Sequence, residues 1–220
     1  MQMGLLSEAV DRAMMTRCIE LSTLAARQGE YPFGCLIALD GRIVAEATNR
    51  TVRDNDVCRH AEVIALSLAQ QAVGRSELPR ATLYSTVEPC AMCSYCIREA
   101  WVGRVVYALA SPIMGGASKW NILRDRDLSN RIPIFGPAPE VVSGVMLREV
   151  MAAWRAWSPL AWQMVRLRGV LAAQAQDETV KTAAAHKRSI WQHIVFAYLR
   201  ASGRTRPLSI PIPPQQGTDP

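Results

Sequence analysis

The sequence predicts an α/β fold in which helices pack on a mixed sheet, followed by a helical extension at the C-terminus. Three observations lead there. Stretches with apolar residues at helical spacing alternate with short β-rich runs. An Asp-Gly dipeptide, Asp40-Gly41, separates the first two β-rich runs. After Gly34 the order reads β-β-α-β-α-β, the pattern of strands joined through helices on one sheet.

Residues 8–28 place Val10, Met14, Cys18, Leu21 and Leu24 on one side of a helix that ends near Gly29. "FGCLIALDGRIVAEATN" is then a hairpin, because both central residues of a two-residue turn need positive φ and Asp-Gly supplies them. From His60 to about Val73, the positions Ala61, Ile64, Ala65, Leu68, Ala69 and Ala72 predict a helix buried along one face. "ATLYSTV" is a strand, "CAMCSYCIREA" a helix and "GRVVYALA" another strand. "GPAPEVVSGVMLREVMAAWRAW" is a loop followed by an amphipathic helix. Further on, "ETVKTAAAHKRSIWQHIVFAYLRASG" predicts a helix and "PLSIPIPPQQGTDP" a Pro-rich, disordered end.

Half of the 220 residues are hydrophobic, which suits one domain with a real core and an appendage. No apolar run approaches the roughly 18 residues of a membrane span. The N-terminal stretch has its acids, Glu8, Asp11 and Glu20, spread along it, so it predicts an amphipathic helix and not a signal peptide. A reducing, cytoplasmic location follows as the expectation, with cysteines serving as ligands, nucleophiles or core residues and no disulfide framework. The net charge of +6 is unevenly placed. Residues 163–220 hold 8 Lys and Arg against 3 Asp and Glu, so residues 1–162 are almost neutral. The division expected is therefore 1–162 as the working domain and 163–220 as a basic extension. A basic face of the kind that binds nucleic acid finds weak support in the neutral body.

"VEPCAMCSYCIREA" puts Cys90, Cys93 and Cys96 at every third position. An iron–sulfur cluster would need a fourth thiolate, and no cysteine follows Cys96. Packing on a helix is the plain alternative. Zinc is the third, and "RHAEVIAL" makes it the best: His60, Cys90 and Cys93 are a catalytic-type set of three, with the fourth position left to water or hydroxide. His60 and Glu62 lie about 200° apart around a helix axis, so they share a site only beyond its N-terminal end. Pro89 sets the cysteine pair at the entrance of a second helix. Zinc would then lie between two helix N-termini, whose positive ends favour thiolates. Cys96 fits as a core thiol and Cys58 as a loop residue. His186 and His193 suggest no second metal site.

His60-Ala61-Glu62 and Glu88-Pro89-Cys90-Ala91-Met92-Cys93 resemble the cytidine deaminase-like superfamily of zinc-dependent nucleobase and nucleoside deaminases, over roughly residues 8–158. The resemblance implies a three-layer α-β-α sandwich, one zinc ion per chain and a hydrolysis that replaces an amino group by oxygen and releases ammonia. It casts Glu62 as the proton shuttle, Asn49 and Ala61 as substrate contacts, Phe33 and Trp120 as substrate walls, and a homodimer or larger homo-oligomer as the working form.

On substrate the resemblance divides. "NDVCRHAE" and "SPLAW" are similar to bacterial guanine deaminases, while "GGASKWNIL" looks like a loop of tRNA adenosine deaminases. Fungal-type cytosine deaminases share the zinc motif. "MAAWRAW" and "SYCIREAW" depart from the tRNA enzymes. A free base such as guanine or cytosine is therefore the first expectation and wobble adenosine in tRNA the alternative. A silent, zinc-stabilised scaffold is the alternative of another class, and the presence of Glu62 argues against it.

Overall fold

The computed structural model describes residues 2–172, with side chains from Ser7 onward. The helix expected near 178–203 and the Pro-rich end lie outside the described residues. Five strands form one sheet in the order β2-β1-β3-β4-β5. β1 (Gly34–Leu39) pairs antiparallel with β2 (Arg42–Thr48) and with β3 (Ala81–Val87); β4 (Arg104–Leu109) and β5 (Glu140–Ser143) continue parallel to β3. α2 (Ala61–Val73) and α3 (Ala91–Ala100) cover one face. α1 (Gln2–Arg27), α5 (Leu147–Trp157) and α6 (Pro159–Leu167) cover the other, and a single turn, α4 (Leu128–Arg131), interrupts the long loop before β5. This is a three-layer α-β-α sandwich with a mixed sheet.

Alternation along the strands sorts side chains between two cores. Cys35, Ile37, Leu83, Val105 and Tyr107 face α2 and α3, whereas Leu36, Ala38, Tyr84, Val106 and Ala108 face α1 and α5. Leu39 pairs with Arg42, and Asp40 and Gly41 take φ of 50° and 75°, the primed hairpin turn that their types dictate.

The structure corrects several details. On α1 the buried stripe is Asp11, Met15, Cys18, Leu21 and Ala25, while Val10 and Leu24 are exposed. The helix is rolled so that Asp11 can accept hydrogen bonds from Tyr84 Oη (2.8 Å) and from both terminal nitrogens of Arg104 (2.7 Å each). On α2, Leu66 is buried and Leu68 exposed. β5 occupies part of the expected loop; four residues at a sheet edge leave too short a pattern to recognise. α6 starts with Ser158 accepting from Ala161 N and with Pro159 in its first turn, a start signal that was legible. α6 runs through Trp162, and Ala172 pairs with Ala110 beyond it. No helix of the described residues is long and apolar enough to cross a membrane.

Burial raises the Asp11 pKa, but the bonds from Arg104 and Tyr84 outweigh it and hold the carboxyl below its ordinary value. A depressed carboxyl contributes stability above its unfolded pKa and loses it as pH falls through the folded one. Asp11→Asn should cost about 2 to 3 kcal/mol in urea unfolding at neutral pH, through loss of the paired bonds that the buried Asp11 accepts from the partly buried Arg104, which keeps only the exposed Glu140 as a charge partner. The gap from wild type should hold down to about pH 5 and close below the ordinary carboxyl value of 3.8.

Candidate active site

Two helices begin at one place on the α2/α3 face. The helix-start caps are His60 for α2 and Cys90 for α3, both in extended backbone, and Cys93 lies in the first turn of α3. β3 delivers the second group directly, since Glu88 and Pro89 follow its last residue. His60 Nδ1 lies 3.6 Å from Cys90 Sγ and 3.4 Å from Cys93 Sγ, and the two sulfurs are 3.6 Å apart. A tetrahedral zinc with bonds of about 2.3 Å to sulfur and 2.0 Å to nitrogen has ligand edges of roughly 3.8 and 3.5 Å. The three atoms thus match three corners of that figure. The neighbouring Cys93, outweighing burial and aided by His60, draws Cys90 down to about 4, while the same contact and burial hold Cys93 well above its ordinary value. Soft thiolates with one imidazole and, among the described residues, no fourth protein ligand would make an open zinc site.

Glu62 sits in the first turn of α2 and is 6 % exposed. Its Oε1 accepts a hydrogen bond from Ser85 Oγ at 2.9 Å, and Oε2 lies 3.7 Å from Cys93 Sγ. Burial pushes its pKa up, so the carboxyl holds a proton more readily than a surface glutamate. Ser85 was missed in the sequence. Its signal was a lone hydroxyl on the strand face otherwise given to Leu83 and the α2/α3 core.

Asn49, just after β2, is buried, and its Nδ2 donates to Glu30 Oε2 (3.0 Å) and Thr51 Oγ1 (2.8 Å). Its Oδ1 has no hydrogen bond among the described residues. Glu30 also accepts from Val52 N (3.1 Å) and Arg53 N (2.6 Å), so one buried carboxylate holds the whole loop that leads to His60. Ala61 is fully buried, and its N–H belongs to the first helical turn, where no intrahelical carbonyl is available. Phe33 accepts the Asn49 N–H on its carbonyl while its half-buried ring meets Trp154 edge-on at 5.5 Å, which makes it part of the α1/α5 core as well.

A second buried carboxylate, Glu88, organises the opposite lip. It accepts from Ser111 N, Ala117 N, Ser118 N and Ser118 Oγ at 2.7 to 2.9 Å. Gly115 pairs with Cys90, and Gly116 N donates to Pro89 O. A Cβ at Gly115 would fall on the Glu88 carboxylate and one at Gly116 on Ser94 Oγ, so this close approach requires glycine. Buried Arg98 continues the fastening, donating to the carbonyls of Ile122, Asp125 and Gly136 and to Ser129 Oγ. Trp120, on this loop, is 57 % exposed. Cys96 packs against the α2/α3 core and Cys58 is exposed in its loop. Glu30, Glu88 and Arg98 were also missed, because each acts by binding backbone that only folding brings near. His60→Ala should reduce zinc from one ion per chain to a small fraction by elemental analysis, while Ser85→Ala should leave zinc bound.

Residues 8–109 match the cytidine and deoxycytidylate deaminase zinc-binding region. The chain is 39 % identical over 137 residues to a tRNA-specific adenosine deaminase of Agrobacterium fabrum, covering 60 % of this chain and 86 % of that one. Among solved structures it is similar to a tRNA:A34 deaminase studied for A-to-I editing at the wobble position of transfer RNA. That likeness has 33 % identity and a TM-score of 0.57, over 64 % of this chain and 98 % of the other. The guanine deaminase of Nitrosomonas europaea, at 23 % identity, TM-score 0.53 and coverage of 66 % and 83 %, shares the fold. With its three zinc-ligand atoms already in place, the chain belongs to the cytidine deaminase-like superfamily and is a zinc-dependent hydrolytic deaminase of the nucleobase and nucleoside class.

Proposed function

We propose that the substrate is adenosine in tRNA, at the wobble position, converted to inosine with release of ammonia. The observation that carries this is the 39 % identity to a tRNA-specific adenosine deaminase across 86 % of its length. The loop "GGASKWNIL", which resembles that of the tRNA enzymes, lies against Cys90 and supports the same reading. The near-neutral charge of residues 1–162 favours a free base such as guanine or cytosine, which stands as the second reading. We place it second because charge balance governs the strength of phosphate binding and not the base chosen.

Held by His60, Cys90 and Cys93, zinc would supply Lewis acidity that makes water a nucleophile near neutral pH. The chain's own residues do the rest. Glu62 Oε2 takes a proton from the attacking water and gives it to the ring nitrogen; as the tetrahedral carbon collapses to a carbonyl, it takes the remaining hydroxyl proton and passes it to the amino group, whose C–N bond breaks to release ammonia. Ser85 holds Oε1 so that Oε2 stays turned to the reacting atoms. Asn49 Oδ1 and the Ala61 N–H orient the base, Phe33 lends its ring edge, and Trp120 borders the opening. On this reading the chain works in the cytoplasm as a homodimer or larger homo-oligomer.

Zinc-loaded protein should form inosine in a tRNA or anticodon hairpin carrying adenosine at the wobble position, read by mass spectrometry after nuclease digestion. Glu62→Gln should lower kcat by about 10²- to 10⁴-fold with zinc retained. Conversion of guanine or cytosine with no inosine in any tRNA would overturn the assignment.

A further inference from the structure

We infer that Asp54 is a positioning residue for the zinc site: it clamps together the two ends of the loop between β2 and α2, and so fixes His60 relative to Asn49. That loop begins at Asn49, just after β2, and ends at His60, the residue that caps α2. Hydrophobic burial does little to hold it, since its Val52 and Val57 are 44 % and 80 % exposed. Glu30 fastens the first part, through the N–H groups of Val52 and Arg53. The end that carries His60 needs another anchor.

Asp54 supplies it. Its Oδ2 lies 2.9 Å from Arg50 Nε and 3.3 Å from Arg59 Nε, and its Oδ1 accepts a hydrogen bond from Arg50 Nη2 at 3.1 Å. Arg50 directly follows Asn49 and Arg59 directly precedes His60. One carboxylate therefore bridges the neighbours of both functional side chains. The backbone closes at the same point, Arg50 N donating to Arg59 O at 3.0 Å. Exposed ion pairs contribute little, but this cluster differs from them in two ways. Asp54 Oδ2 and Arg50 Nε are shut off from solvent, so water and salt screen their attraction weakly. The carboxylate is also shared, with Arg53 Nε as a third cation 3.8 Å from Oδ1. Without it, three guanidinium groups would crowd one short loop, offset only by Asp56 at 3.8 Å from Arg59. Their repulsion would part the loop ends. His60 would then have to be ordered at the moment the metal binds, and that ordering lowers affinity.

The test reads the metal on the full chain and uses no substrate, so its outcome is independent of the tRNA reading. In competition with a chelator of known affinity, Asp54→Asn should weaken zinc binding by about 10- to 100-fold. Asp54→Glu, which restores the charge, should recover most of the loss. Cobalt(II) in Asp54→Asn should keep its thiolate charge-transfer band while its d–d bands shift, because the sulfurs are untouched and the imidazole is displaced. Arg59→Gln breaks the same clamp from the other side, so it should also weaken zinc and should add little to Asp54→Asn in the double variant; it carries the test if Asp54→Asn does not fold. Asp40→Asn removes the carboxylate that pairs with Arg80 at the other end of β1 and should leave zinc affinity at the wild-type level. Wild-type affinity in Asp54→Asn, losses that simply add in the double variant, or an equal loss in Asp40→Asn would overturn the inference.

Discussion

Two sulfurs and a ring nitrogen held 3.4 to 3.6 Å apart at the mouths of two helices are the constraint around which the rest of the molecule is arranged. Sulfur atoms near a helix start lose protons easily, and a second helix pointing its positive end at the same spot deepens the effect. Cys90 is drawn well below its ordinary thiol value by Cys93 and His60, and a cation between the two helix starts would ionise both sulfurs. The sheet brings the helices there: β3 ends three residues before Cys90, and β1 and β2 carry the chain to the loop that enters α2. Glu62 gains its raised pKa from the same burial, so the metal position and the acid–base group share one cause.

The loops that border the site are built on one design used twice. Glu30 gathers the segment after β2, and Glu88 gathers the segment after β4, each by accepting several backbone N–H groups. A buried carboxylate is costly unless its lone pairs are filled, and here unpaired loop amides fill them. The result is that each loop's conformation is tied to a charge that cannot be moved to water cheaply. Loops of this kind can present exposed groups such as Trp120 in a set orientation.

Much of this was legible in the residues. The hairpin followed from Asp40-Gly41, and the position of the helix starts followed from Pro89 and from the angle between His60 and Glu62. What escaped was of two kinds. Short edge structure such as β5 carries too few residues to show a period. Buried polar anchors such as Asp11, Glu30, Glu88 and Arg98 look like surface residues, because their partners are backbone groups or distant side chains. Asp11 even misled the reading of α1, since a charged residue took the place of Val10 on the inner stripe.

The central claim is that His60, Cys90 and Cys93 form an open zinc site served by Glu62. X-ray absorption at the zinc edge on the purified full chain tests it most directly. The account predicts two sulfurs at about 2.3 Å and one imidazole nitrogen at about 2.0 Å, with no third sulfur. A shell of three or four sulfurs, or of oxygen and nitrogen alone, would contradict it.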